Sequence, residues 1–133
     1  GDSLANMIDT DQTKFEPDNG TLNKENEETD IVLKLVDKEG KPITGAVDKI
    51  KLTEDRSDLY GEEPYPHVTD IKEDPVGSGI YKAKVVAGKK KGTLKVTPVV
   101  DGKELKPTQV VFGQSLADIV DTKGSAFIPA TNV

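Results

Sequence analysis

The sequence predicts an all-β fold, an antiparallel β-sandwich of about seven to eight strands. Three observations predict it. Short apolar stretches alternate with polar residues at period two, turn residues separate them at regular intervals, and no stretch sustains a 3.6-residue period. Asn6–Lys14 is the first candidate strand, and polar Leu22–Glu28 reads as a loop rather than a helical turn. Ile31, Leu33 and Leu35 then alternate with Val32, Lys34 and Val36, and Ile50 and Leu52 with Lys49, Lys51 and Thr53. Tyr81, Ala83 and Val85 alternate with Lys82, Lys84 and Val86, and Leu94 and Val96 with Lys95 and Thr97. Such spacing sends one set of side chains into a core and the other toward water. Val68–Lys72, Val99–Val100 and Thr108–Phe112 complete the set. Between the strands stand Asp18-Asn19-Gly20, Lys38-Glu39-Gly40, Val76–Gly79, Ala87–Gly92 and Asp101-Gly102, residues suited to tight turns. Pro42, Pro98 and Pro107 are expected at strand ends or sheet edges, where a missing N–H is tolerated. Lysine on the exposed faces opposes edge-to-edge aggregation.

Composition narrows the function. The 133 residues amount to about one domain. Aromatics make up only 5% and there is no Trp, so Val, Ile, Leu and Ala must build the core. The net charge of −6, with both signs interspersed, excludes the basic stripe of a nucleic-acid binder. No apolar run approaches the roughly 20 residues of a membrane helix. Cysteine is absent, which leaves both the cytosol and a bacterial surface open.

The chain also repeats itself. Ser3-Leu4-Ala5-Asn6-Met7-Ile8-Asp9-Thr10 returns 112 residues later as Ser115-Leu116-Ala117-Asp118-Ile119-Val120-Asp121-Thr122, with five of eight positions identical. The simplest account is a tandem array. Residues 1–114 then form one domain, and 115–133 are the start of the next repeat or a disordered tail. A strand without its sheet has little to bury, so Ser115–Val133 is expected to order poorly or pack weakly.

Three stretches carry a family resemblance. Thr29–Gly45 joins an apolar strand to Asp37-x-x-Gly40-x-Pro42-x-x-Gly45. Gly79-Ile80-Tyr81-Lys82-Ala83-Lys84-Val85 continues to Gly92-Thr93-Leu94-Lys95-Val96-Thr97. Val100–Lys103 and Val110-Val111-Phe112 follow, and Pro17–Gly20 fits upstream. The ordered set resembles the bacterial immunoglobulin-like domains of the intimin/invasin type over most of residues 5–113. The resemblance implies an Ig-like sandwich with Greek-key connections, set in an outer-membrane-anchored adhesin outside the cell. Gram-positive pilin-like modules, which often carry a Lys–Asn cross-link, share the turn signature from Asp37 to Ala46 and remain an alternative.

Candidate chemistry is sparse. Gly1-Asp2-Ser3-Leu4 matches the name motif of a serine hydrolase family, but a nucleophile needs a base, and the single histidine, His67, lacks that family's Asp three residues before it. No catalytic residue, metal ligand set or cofactor is assigned, and the chain reads as a non-enzyme. Asp9, Asp11 and Asp18, with Asp118 and Asp121, are oxygen ligands that calcium at a domain junction would use; equally, Asp flanks turns. Lys89-Lys90-Lys91 reads as a solvated hairpin loop. The segment Asp58–His67 is the best recognition candidate, with Tyr60, Tyr65 and His67 as ligand-contact residues and prolines that pre-order them. The competing reading folds one or both tyrosines back over the sandwich end. Two functions therefore stand: a spacer whose partners are neighbouring repeats of its own chain, and a module contacting a host protein or glycan through its loops.

Overall fold

A computed structural model describes residues 3–17 and 19–113. The chain opens with one helical turn, α1 (Leu4–Met7), followed by β1 (Lys14–Glu16), β2 (Asn19–Leu22) and β3 (Glu28–Lys34). Next come β4 (Ile50–Asp55), β5 (Leu59–Tyr60), β6 (His67–Val68) and β7 (Lys72–Glu73). The long β8 (Ile80–Val86) and β9 (Lys91–Val100) lead to β10 (Lys103–Glu104) and β11 (Thr108–Phe112). Seven of these strands have three residues or more, and four are two-residue pairings.

Two sheets face each other. In the first, β3 lies between β1 and β8, and β6 and β7 pair in succession with the far edge of β8. In the second, β9 has β4 and β5 along one edge, β10 and β11 along the other, and β2 outside β11. Partners distant in sequence, such as β3 with β8 and β9 with β4, give Greek-key connectivity rather than a meander. The inward set expected from period two is the core: Ile31, Leu33, Leu35, Tyr81, Val85, Leu94, Val96 and Val110 are fully buried, and Phe112 nearly so.

The long strands define two ends. Glu28, Val86, Lys91 and Phe112 share one end, where Gly113 donates its N–H to the Leu22 carbonyl (2.8 Å). Lys34, Ile80 and Val100 share the other, where α1 is attached. We term these the trailing and leading ends. The ten residues of β9 run from one to the other, about 30 Å at the usual rise of about 3.3 Å per residue.

Four expectations need correction. Residues 6–14 are not one strand. Ile8 alone bridges to Asp37, and the Asp9 carboxylate then accepts from the N–H groups of Asp11 and Gln12, turning the chain before β1. Val68–Lys72 splits into β6 and β7, because Thr69 donates its N–H to the Lys84 carbonyl while its hydroxyl accepts from the Lys84 N–H. Val99–Val100 is no separate strand, since β9 runs unbroken through Pro98. Pro98 is buried inside the sheet rather than at an edge. Its carbonyl accepts from the Leu105 N–H, so its nitrogen faces that same side, the gap between β10 and β11, where no ladder carbonyl awaits a donor. The expected antiparallel sandwich is the fold observed, with one exception in its pairing. β2 and β11 pair in parallel, Gln109 opposite Asn19 through Phe112 opposite Leu22. The repeat at 115–122 and the tail to Val133 lie outside the described residues, as do Asp18 and Gly1-Asp2.

Candidate functional site

The candidate loop lies at the trailing end and spans both sheets. Tyr60 on β5 pairs with Lys91 of β9, whereas His67 on β6 pairs with Val86 of β8. The two therefore flank the Ala87–Lys90 turn from opposite sheets, with Tyr65 in the connection between them. Two glycines allow this approach. A Cβ on Gly88 would stand 2.1 Å from the Pro64 carbonyl oxygen, and one on Gly92 2.2 Å from that of Asp58. Only glycine lets backbone come so near backbone. The Pro64 carbonyl also accepts from the N–H groups of Lys89 (2.9 Å) and Lys90 (3.3 Å).

Neither tyrosine folds back into the sandwich: Tyr60 is 51% and Tyr65 38% exposed, and His67 is exposed as well. Tyr65 is framed by cations, with Arg56 Cζ 4.9 Å and Lys90 Nζ 4.5 Å from its ring centroid. Arg56 is held in turn by Glu54 Oε1 (3.2 Å). Sequence reading missed this pair around Tyr65. A signal existed, since Arg56 is the only arginine in the chain and arginine prefers aromatic faces.

A cleft of about 390 Å³ opens beside this loop, between Asn23–Glu25, Gly61-Glu62 and the Ala87–Lys91 turn, with Phe112 and Gly113 in its wall. The lysine triplet is thus not only a solvated hairpin loop. It borders a cleft that reaches Gly113, the last residue of β11's flank that the structure describes.

The leading end is built differently. The Tyr81 hydroxyl, fully buried, donates to the Ile43 carbonyl (2.7 Å) and accepts from the Ala46 N–H (3.0 Å). Burial raises its pKa above the ordinary phenol value. Glu73 accepts from the N–H groups of Gly79 (2.9 Å) and Gly45 (3.1 Å), and the Gly79 bond above all lowers its pKa. Asp37 closes its turn by accepting from Glu39 and Lys41. Ser3 lies here, at the opposite end from His67, so the two form no nucleophile–base pair. The Asp9 carboxylate is engaged in its own turn. Among the described residues no three His, Asp or Glu side chains converge as a metal site. No helix among them is long and apolar enough to cross a membrane.

These features define an Ig-like sandwich module with loops at both ends and no assembled catalytic group among the described residues. Residues 9–115 match the family described as Invasin, domain 3, and the chain belongs to that family. Among solved structures it is similar to the adhesin InvE of Yersinia pseudotuberculosis (TM-score 0.61, 21% identity, 84% of this chain and 29% of that one). It is also similar to the Escherichia coli adhesin FdeC (TM-score 0.59, 23% identity, 79% of this chain and 31% of that one). Domains 4 and 5 of the S-layer protein SbsC share the fold as well (TM-score 0.57, 17% identity, 80% of this chain and 53% of that one). The chain therefore spans about a third of the two adhesin structures. No curated protein matches it significantly in sequence.

Proposed function

We propose that this domain is a stalk module of a bacterial surface adhesin, extending a distal tip away from the cell. One observation carries the reading: the chain enters at one end of β9 and leaves at the other, about 30 Å away. A module threaded this way adds its full length to an array. Its neighbours in the same chain are its first partners, its place is extracellular, and its work is mechanical rather than catalytic. The membership in the invasin family and the likeness to two adhesins support this reading.

A second reading has its own observation. Tyr60 and Tyr65 stay exposed beside Arg56 and Lys90, a surface suited to a host protein or an anionic glycan. One experiment separates the two. Labelled domain is titrated onto cultured host cells and matrix proteins, beside the Tyr60→Ala/Tyr65→Ala variant. Absence of saturable binding is expected of a spacer; saturable binding lost in the variant would establish recognition. The pilin-like alternative makes a different prediction: a Lys–Asn cross-link would lower the intact mass by one ammonia, and the spacer reading expects the unmodified mass.

A further inference from the structure

We infer that the lysine-bordered cleft at the trailing end seats the first turn of the segment that follows it, residues 115–122 of this chain. The inference rests on the stalk reading and gives its junction an address.

The leading end shows which residues such a turn leaves free. Around α1, Ala5 donates its N–H to Asp101 Oδ2 (3.1 Å) and accepts from Lys103 Nζ (3.2 Å). Ile8 is 1% exposed, and the Asp9 N–H donates to the Val36 carbonyl (3.0 Å). These contacts hold the turn to its own sandwich. Asn6 and Met7 are left outward, and Met7, 41% exposed, is a large apolar side chain in water at the domain's tip. An apolar group placed there gains by being covered.

The repeat keeps the same register. Val120 stands at the position of buried Ile8, and Asp118 and Ile119 stand at those of outward Asn6 and Met7. The outward pair thus becomes one acid and one branched apolar residue. The cleft is its complement. Lys24, Lys89, Lys90 and Lys91 line it against two glutamates, Glu25 and Glu62, and the core residues Ala87 and Phe112, nearly fully buried, lie at its floor. Continuity favours the same occupant. Gly113 is itself part of the wall, and only Gln114 separates it from Ser115, so the segment starts within about 7 Å of the cleft. Asp118 among the lysines, with Ile119 over the core floor and the lysine stems, satisfies both chemistries at once.

The test uses the 133-residue chain. Amide hydrogen exchange of Leu116–Val120 is followed by NMR at low salt. The expected result is protection of about 5-fold over unstructured rates, far below that of Ile31–Leu35, because exposed charge pairs contribute little each. Lys89→Glu/Lys90→Glu should abolish this protection, as should raising the salt to about 0.5 M, where the screening length is only a few ångströms. Adding Asp118→Lys to the first variant should restore it. Both lysines carry their charge at the surface, and protection of Ile31–Leu35 checks that the fold persists. Unprotected Leu116–Val120 in the parent chain, or protection indifferent to the lysine reversals, would overturn the seat. Those outcomes leave the stalk reading standing, whereas host-cell binding through Tyr60 and Tyr65 would remove the stalk reading without touching the exchange result.

Discussion

The two ends of this sandwich are closed by different means. At the leading end side chains fasten backbone: Tyr81 ties the Ile43–Ala46 corner, Glu73 joins Gly45 to Gly79, and Asp101 fixes α1. At the trailing end backbone meets backbone through Gly88 and Gly92, and the two tyrosines of the loop face outward. The leading end is thus committed to its own fold. The trailing end achieves closure with main chain and leaves Tyr60 and Tyr65 exposed.

Substitutions can break this contrast in a graded way. The largest effect is expected for Gly88→Ala, whose new methyl would overlap the Pro64 carbonyl. Backbone must shift to admit it, at a cost of about 3 kcal/mol in urea unfolding. Tyr81→Phe should follow at about 2 kcal/mol, because it strands the buried Ala46 N–H and Ile43 carbonyl. The denaturant slope should stay unchanged, which separates lost hydrogen bonds from a loosened native state.

Glu73→Gln should act through pH. The folded carboxyl lies below its ordinary value of 4.5, chiefly through the Gly79 N–H, then that of Gly45. A depressed folded pKa adds stability that is present above the unfolded value and disappears as pH falls through the folded one. Thermal melts of the parent should therefore drop as pH descends below about 4.5, and the Gln variant should start lower with a shallower drop. An acid limb of equal slope in both would show that other carboxylates dominate. The smallest effect belongs to the trailing end. Tyr65→Ala removes two exposed cation–π contacts and should cost no more than about 1 kcal/mol in the same urea assay. A loss as large as that of Tyr81→Phe would make Tyr65 a structural anchor and weaken its candidacy for recognition.

Much of the fold is readable in the sequence, because strand alternation is local. The inward sets Ile31/Leu33/Leu35, Tyr81/Ala83/Val85 and Leu94/Val96 each follow from neighbours two residues apart, and the structure buries all of them. What sequence reading missed depends on distant or single-residue events. The opening segment looked extended until Asp9 folded its carboxylate onto the next N–H groups. Pro98 lies inside a sheet only because the β10–β11 connection passes beside it. The parallel partnership of β2 with β11 joins segments ninety residues apart, which no local period records. At the candidate site, Tyr60 and Tyr65 are exposed rather than folded back over the sandwich end. The cations around Tyr65, from Arg56 and from Lys90, are brought together only by the meeting of two loops.

The parallel pair has a mechanical consequence. Tension on a chain held at Leu4 and at Gly113 pulls the early strands toward one end and β11 toward the other. Side by side and pointing the same way, β2 and β11 are then dragged lengthwise past each other, so the rungs from Gln109–Asn19 to Phe112–Leu22 bear the load together instead of opening one after another. A tether in flowing fluid would be strongest where an early strand and the last one are clasped in this manner.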